Sequence, residues 1–246
     1  MTRRAFAASG LAAGLAAAVG PASAAGRGGH PVVVELFTSQ GCSSCPPADA
    51  LLGELAQRRE VVALAFHVDY WDHIGWKDPF GDPLHTARQR AYAARLRLRT
   101  IYTPQMVVDG VTQLVGSRRG EVEATISRQL DLGRAERVSI PIEFGRRSDG
   151  PVTIVVPAAA ADGPADLLLA AVDREHTTEI RRGENAGRTL ADFNVVRSIA
   201  RVGQWNGAEL AVTVRPDSWH RGADELVILL QATDHGPIWG SARVPL

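Results

Sequence analysis

Apolar residues crowd the positions from Val32 to Phe37, give way to a Gly/Cys/Pro turn, and return at Ala48, Leu51, Leu52 and Leu55. The first run predicts a buried strand; the second, spaced by threes and fours, predicts one face of a helix. A further apolar run, Val61 to Phe66, predicts a second buried strand of the parallel kind. A polar and aromatic loop, Asp69 to Pro83, separates it from a helix expected between Leu84 and Leu98. Tyr102-Thr103-Pro104 then introduces two short strands, Gln105 to Val108 and Thr112 to Val115, around an Asp109-Gly110 turn, which is a hairpin pattern. Val122, Ile126 and Leu130 share a face of a third helix that Ser117 can cap. The predicted order is β-α-β-α-β-β-α.

Beyond a boundary expected at Gly133 to Arg137, helical periodicity fades and short β-rich runs take over: Val138 to Phe144, Val152 to Pro157, Leu167 to Asp173, Val195 to Val202, Leu210 to Val214, Leu226 to Thr233 and Ile238 to Val244. Turn residues divide them at intervals typical of a β-sandwich. The expected fold class is therefore α/β followed by all-β. An α/β domain over residues 30–134 carries a Cys-x-x-Cys pair, and a β-sandwich domain over residues 138–246 follows it.

The N-terminus alters where this fold is expected to work. Arg3-Arg4-Ala5-Phe6 precedes a weakly apolar Ala/Gly/Leu run and a small-residue site at Ala22-Ser23-Ala24, the order of a signal peptide. The paired arginines resemble a twin-arginine leader, so residues 1–24 are expected to be cleaved and the protein to be periplasmic or secreted. No later stretch approaches the roughly 20 apolar residues of a membrane helix, and no membrane span is expected in the mature chain. The full sequence holds 27 basic and 27 acidic residues, and loss of Arg3 and Arg4 leaves 25 against 27. That faint negative excess argues against nucleic acid as a partner. With two cysteines only, no disulfide framework is expected and stability has to come from packing.

Those two cysteines, Cys42 and Cys45, carry the candidate chemistry. A Cys-x-x-Cys pair between a buried strand and a helix N-terminus suits thiol exchange: the first sulfur is expected to be exposed, with helix N–H groups favouring its thiolate. The second can resolve a mixed disulfide. Cys42 is thus the expected nucleophile and Cys45 the resolver. Pro46 and Pro47 lack the N–H groups that a helix capped at Cys42 would use. A helix starting near Cys45 instead would leave Cys42 in a loop.

These residues resemble the thioredoxin-like superfamily. More narrowly, the stretches Glu35 to Pro47, His67 to Asp72, Tyr102 to Gln105, Gly183 to Arg188 and Asn194 to Arg197 resemble a secreted family catalogued as domain of unknown function 1223. The superfamily resemblance implies that Thr103-Pro104 forms a cis-proline loop beside the dithiol, where backbone groups next to Pro104 receive a substrate strand; an ordinary trans turn proline is the other reading. It also implies that Glu35 accepts the proton of Cys45, although a strand-end glutamate facing solvent fits the pattern as well. Gly41 stands where thioredoxins carry tryptophan, and Ser43 and Ser44 separate the cysteines.

The function expected is thiol–disulfide exchange with a protein or small-thiol partner, possible redox proteins among them, without a cofactor. Tyr70 and Trp71, with Trp76 and Phe80, are either a binding lip for that partner or a cap over the sheet's own core. Two alternatives stand beside it: a non-catalytic periplasmic interaction module, and a copper or zinc carrier that joins the dithiol to His67 and Asp69, with Asp72 and His73 nearby. Gly183 to Arg188 is expected to be a turn or loop between strands. No hydrolase elbow or metalloprotease spacing occurs.

Overall fold

The computed structural model describes residues 31–132, 142–146, 150–215 and 222–246. The expected leader, the expected boundary at Gly133 to Arg137 and the start of the strand expected from Val138 lie outside them. The first elements are β1 (Val32–Thr38), α1 (Pro46–Ala56), β2 (Val61–His67), a 3-10 turn (Asp72–Ile74), α2 (Pro83–Arg95), β3 (Gln105–Val108), β4 (Thr112–Val115) and α3 (Arg119–Leu132). Every residue of β1 and β2 is buried, as continuous apolar strands covered on both faces must be. They pair in parallel from Val32 with Val61 to Thr38 with His67. β3 runs antiparallel to β1, and β4 to β3. Asp109, Gly110 and Val111 join the last two; Asp109 and Gly110 have positive φ angles of 51° and 72°, and the Val111 N–H donates to the Val108 carbonyl at 3.0 Å, a tight turn of the kind that Asp-Gly favours.

The remaining strands are β5 (Glu143–Arg146), β6 (Val152–Val156), β7 (Ala165–Glu179), β8 (Thr189–Trp205), β9 (Leu210–Val214), β10 (Glu225–Ala232) and β11 (Ile238–Pro245). Four of them extend the first sheet, so that one eight-stranded sheet runs β11, β10, β7, β8, β2, β1, β3, β4. The join is a parallel contact of β8 with β2 at Ala65 and Val195, reinforced where Asn194 Nδ2 donates to the Ala63 carbonyl at 2.9 Å. β5, β6 and β9 form a separate three-stranded sheet. The molecule is therefore a mixed α/β fold built on a large, mostly β framework with three α-helices among the described residues.

Three apolar cores follow from the alternation of side chains along these strands. Val32, Val34 and Leu36 face α1 and α3, meeting Leu51, Leu52, Leu55, Val122 and Ile126. Val33 and Phe37 point to the opposite face, which α2 covers with Tyr92, and there they join Leu64, Phe66, Val172, Val196, Val227 and Leu229. Leu167, Leu169, Ile228 and Leu230 pack against Val152, Ile154 and Val156 of the small sheet, around Trp205 and Trp239. No helix among the described residues is long and apolar enough to cross a membrane.

Candidate functional site

The dithiol lies in the loop that follows β1. Helix α1 begins at Pro46, with Cys45 as its N-cap and the two prolines at its first positions, where their missing N–H groups cost nothing because no internal partner exists there. The Cys45 carbonyl accepts the first helical bonds, from Ala48 N at 2.8 Å and Asp49 N at 3.1 Å. Cys42 sits three residues ahead, outside the helix, its own N–H donated to the Ser39 carbonyl at 3.1 Å. Cys42 and Cys45 are joined in a disulfide with Cα atoms 5.5 Å apart, and Ser44 Oγ lies 3.4 Å from Cys42 Sγ.

The expectation of an exposed Cys42 sulfur is corrected here. Both cysteines are 0% exposed, while Ser43 and Ser44 between them face solvent. Part of the cover comes from far along the chain. β7 and β8 continue well beyond the predicted strands as a paired ribbon, out to Glu179 opposite Thr189, and the connection at its tip, Ile180 to Arg188, holds Asn185 against the dithiol loop. Asn185 Nδ2 donates to the carbonyl oxygens of Gln40, at 2.9 Å, and Cys42, at 3.0 Å. Its Oδ1 accepts from Arg188 at 3.1 Å, which fixes the amide with its donors turned inward. Glu184 Oε2 accepts from the Ser43 N–H at 3.3 Å.

Gln40 links this loop to a buried polar cluster. Its side-chain amide donates to Asp192 Oδ2 at 2.7 Å and Thr178 Oγ1 at 3.0 Å, and its Oε1 accepts from Trp76 Nε1 at 3.0 Å. Its backbone N–H donates to Asp78 Oδ2 at 2.8 Å, the oxygen that also lies 2.8 Å from His67 Nδ1. Burial works against a charged His67, but Asp78 first, then Asp192 and Asp49, raise its pKa to about 9. Burial likewise pushes Asp49 up to about 7, even though Thr38 donates to it at 2.7 Å. Asp78 is held below the usual carboxylate range because His67 and the N–H donors outweigh its burial. The end of β1, the start of α1 and the β7–β8 ribbon thus enclose His67 among the carboxyl groups of Asp49, Asp78 and Asp192, next to the dithiol loop.

Residues 33–231 match the family described as "Protein of unknown function (DUF1223)". The chain belongs to the DUF1223 family. Protein AGR_C_4864 from Agrobacterium tumefaciens, known from its X-ray crystal structure, is similar to it with a TM-score of 0.74 and 28% identity, over 88% of this chain and 95% of that one. HBP35 of Porphyromonas gingivalis resembles it in fold, with a TM-score of 0.58 and 14% identity, over 89% of this chain and 76% of that one. No curated protein matches it.

The other predicted site residues of this DUF1223 chain fall into three places. The Thr103-Pro104 peptide is cis, and Thr103 Oγ1 accepts from Trp71 Nε1 at 2.8 Å. Trp71 also borders the dithiol loop, since a Cβ on Gly41 would lie 3.1 Å from the Trp71 Cβ. Trp71 therefore bridges Gly41 and Thr103, and Gly41 leaves room for it. Tyr70 packs beside Trp71, and burial pushes its phenol pKa up. Tyr70, Trp71, Trp76 and Phe80 are all half-buried, and Phe80 packs on the buried His67 and the half-buried His176.

Glu35 lies elsewhere. It points to the α2 face of the sheet, away from α1, where Arg88 Nε donates to Oε1 at 2.7 Å and the Tyr92 hydroxyl donates to Oε2. It is neither in solvent nor on the dithiol side. Asp69 is occupied at the start of α2, accepting from Thr86 Oγ1 at 2.6 Å. Among the described residues no group of three or more His, Cys, Asp or Glu has the arrangement of a metal site. The residues not singled out from sequence are Asn185, Gln40, Asp192 and Asp49; Asp78 belongs to the polar and aromatic loop expected from Asp69 to Pro83. Gln40 and Asn185 fall inside the stretches that carried the family resemblance, which was the available signal.

Proposed function

We propose that this DUF1223 protein is an exported thioredoxin-like thiol–disulfide oxidoreductase that uses Cys42 and Cys45. The observation that carries the reading is a Cys-x-x-Cys disulfide set between the end of a buried parallel strand and the N-terminus of α1, with Trp71 connecting it to the Thr103-Pro104 loop. Carboxyl-end crevices of parallel strands are where α/β folds place their chemistry.

In the forward step a partner thiolate attacks Cys42 Sγ, a partner–Cys42 bond forms, and the Cys42–Cys45 bond breaks. Cys45 leaves as a thiolate at the N-cap of α1, where the positive end of the helix dipole favours it, and takes up a proton. A second partner thiol then displaces Cys42, so that two electrons and two protons pass from the partner to the pair. The reverse sequence oxidises the pair at a partner's expense.

The test is a titration of the purified mature chain in glutathione buffers with free thiols trapped at each ratio. A reversible two-electron couple within about −270 to −120 mV is expected, and Cys42→Ser should abolish exchange with a small-molecule disulfide. The complete burial of both sulfurs favours a second reading, a structural cross-link. A pair that stays oxidised at every ratio while the chain remains folded would establish that reading and remove the first.

A further inference from the structure

The dithiol loop already has an occupant. Ile180 to Arg188 is a self-contained turn, closed by Ile180 N to the Arg188 carbonyl at 2.9 Å and Gly187 N to the Ile180 carbonyl at 2.8 Å. Gly183 and Gly187 supply the left-handed backbone it needs, at φ 78° and 82°. None of its side chains belongs to the three apolar cores. What it offers the dithiol loop is polar: two N–H donors from the buried Asn185 and one carboxylate oxygen from the exposed Glu184. The ribbon behind it is pinned separately, through Gln40 to Thr178 and Asp192. Ile180 at the base of the tip is buried and Gly183 packs against Trp76, so the part that lifts is Glu184 to Gly187, whose bonds to the dithiol loop are the three from Asn185 and Glu184, while Ile180 and the ribbon stay.

We infer that this tip is a self-supplied cover that must lift before a partner thiol reaches Cys42, and that the partner which lifts it is an extended polypeptide. The inference rests on the exchange reading above. Its chemistry is that of strand addition: the Gln40 and Cys42 carbonyls, which flank the attack site, receive N–H donors from Asn185 in the folded protein, and a partner's main chain carries the same donors. Exchange of one donor set for another is close to neutral, whereas lifting the tip into water loses two bonds that were already made. A small thiol has no main-chain amides to give and waits for spontaneous opening.

The oxidised mature chain is treated with excess dithiothreitol, which closes to its cyclic disulfide as it passes two electrons and two protons to Cys42 and Cys45, and the free thiols are trapped over time. Asn185→Ala should speed reduction by about tenfold, and Glu184→Ala, at an exposed position, by about two- to threefold, from the modest net worth of such bonds. Thermal melts monitored by circular dichroism confirm that the variants fold; if Asn185→Ala does not, Glu184→Ala carries the test. An extended dithiol peptide should reduce the wild type faster than dithiothreitol at equal thiol concentration, and its advantage should shrink in Asn185→Ala. Equal and rapid reduction of wild type and variants would overturn the cover and leave exchange standing. Absence of a peptide advantage would overturn the assignment of partner. Reduction of no form except in denaturant would sink the exchange reading itself, and the cover with it.

Discussion

Asp78→Asn should flatten the fall in folding stability that the wild type shows as alkalinity rises. Asp78 Oδ2 serves both His67 Nδ1 and the Gln40 N–H, each at 2.8 Å, and both the aspartate and histidine side chains are at most 1% exposed. Burial opposes the imidazolium, yet Asp78 first and then Asp192 and Asp49 hold its pKa at about 9, against 6.5 for an unperturbed histidine. A histidine whose folded pKa lies above its unfolded one contributes stability that is fully present below the unfolded pKa. That contribution is lost as pH climbs through the folded pKa. Each unit is worth about 1.4 kcal/mol, so the wild type should lose about 3 kcal/mol between roughly pH 6.5 and pH 9 from this group. Asparagine preserves the shape and an acceptor for Gln40 but removes the charge. Asp192, 3.8 Å from His67 Nε2, remains, and the variant should lose about 1 kcal/mol over the same range. Urea unfolding of the oxidised protein at a series of pH values measures both curves. Parallel curves would show that Asp78 does not hold the proton on His67, and the electrostatic account of this cluster would fail.

Two other substitutions separate local preference from packing. Gly53→Ala within α1 would gain about 1 kcal/mol from helix propensity alone, but the new Cβ would stand 2.6 Å from the Phe193 ring. Net destabilisation of about 1–3 kcal/mol is expected; Phe193→Leu in the same chain should recover most of it, and denaturant midpoints of the single and double variants decide. Glu35→Gln leaves the buried Arg88 guanidinium without its ion-pair partner and should cost about 3–5 kcal/mol. Its rate of disulfide exchange, measured under conditions where the variant is fully folded, should match the wild type, because Glu35 and α1 lie on opposite faces of the sheet; a large fall in that rate would contradict this placement.

Where hydrophobic periodicity was the signal, the chain was legible. The apolar runs of β1 and β2, the leucine stripe of α1, and the hairpin around Asp109-Gly110 stand where the sequence predicts them. The outer half of the β7–β8 ribbon was not legible, because from Arg174 to Thr189 its only buried side chains are Ile180 and Asn185, which make no alternating pattern. The buried face of α2 likewise includes His85, Arg88 and Gln89, residues that read as a solvated surface until Glu35 and Gln105 are placed opposite them. The site was half visible. Cys42, Cys45, Trp71 and Thr103 are local to their motifs, whereas the approach of Asn185 to Cys42 spans 143 residues and leaves no periodic trace.

The shared sheet has a consequence for how this chain is made. Phe37 and Phe66 stack on one another in a core whose other walls include Val172, Val196, Val227 and Leu229, residues that leave the ribosome more than a hundred positions later. Until then, the β2 edge that meets β8 is an open strand with unpaired backbone groups beside bare aromatic surface, the type of edge that recruits other chains. A fragment ending after α3 would keep that condition permanently. The half that holds the cysteines is therefore no portable cassette: it should collect in inclusion bodies when expressed alone, and grafting its dithiol loop onto another scaffold would carry away the sulfurs without the walls that enclose them.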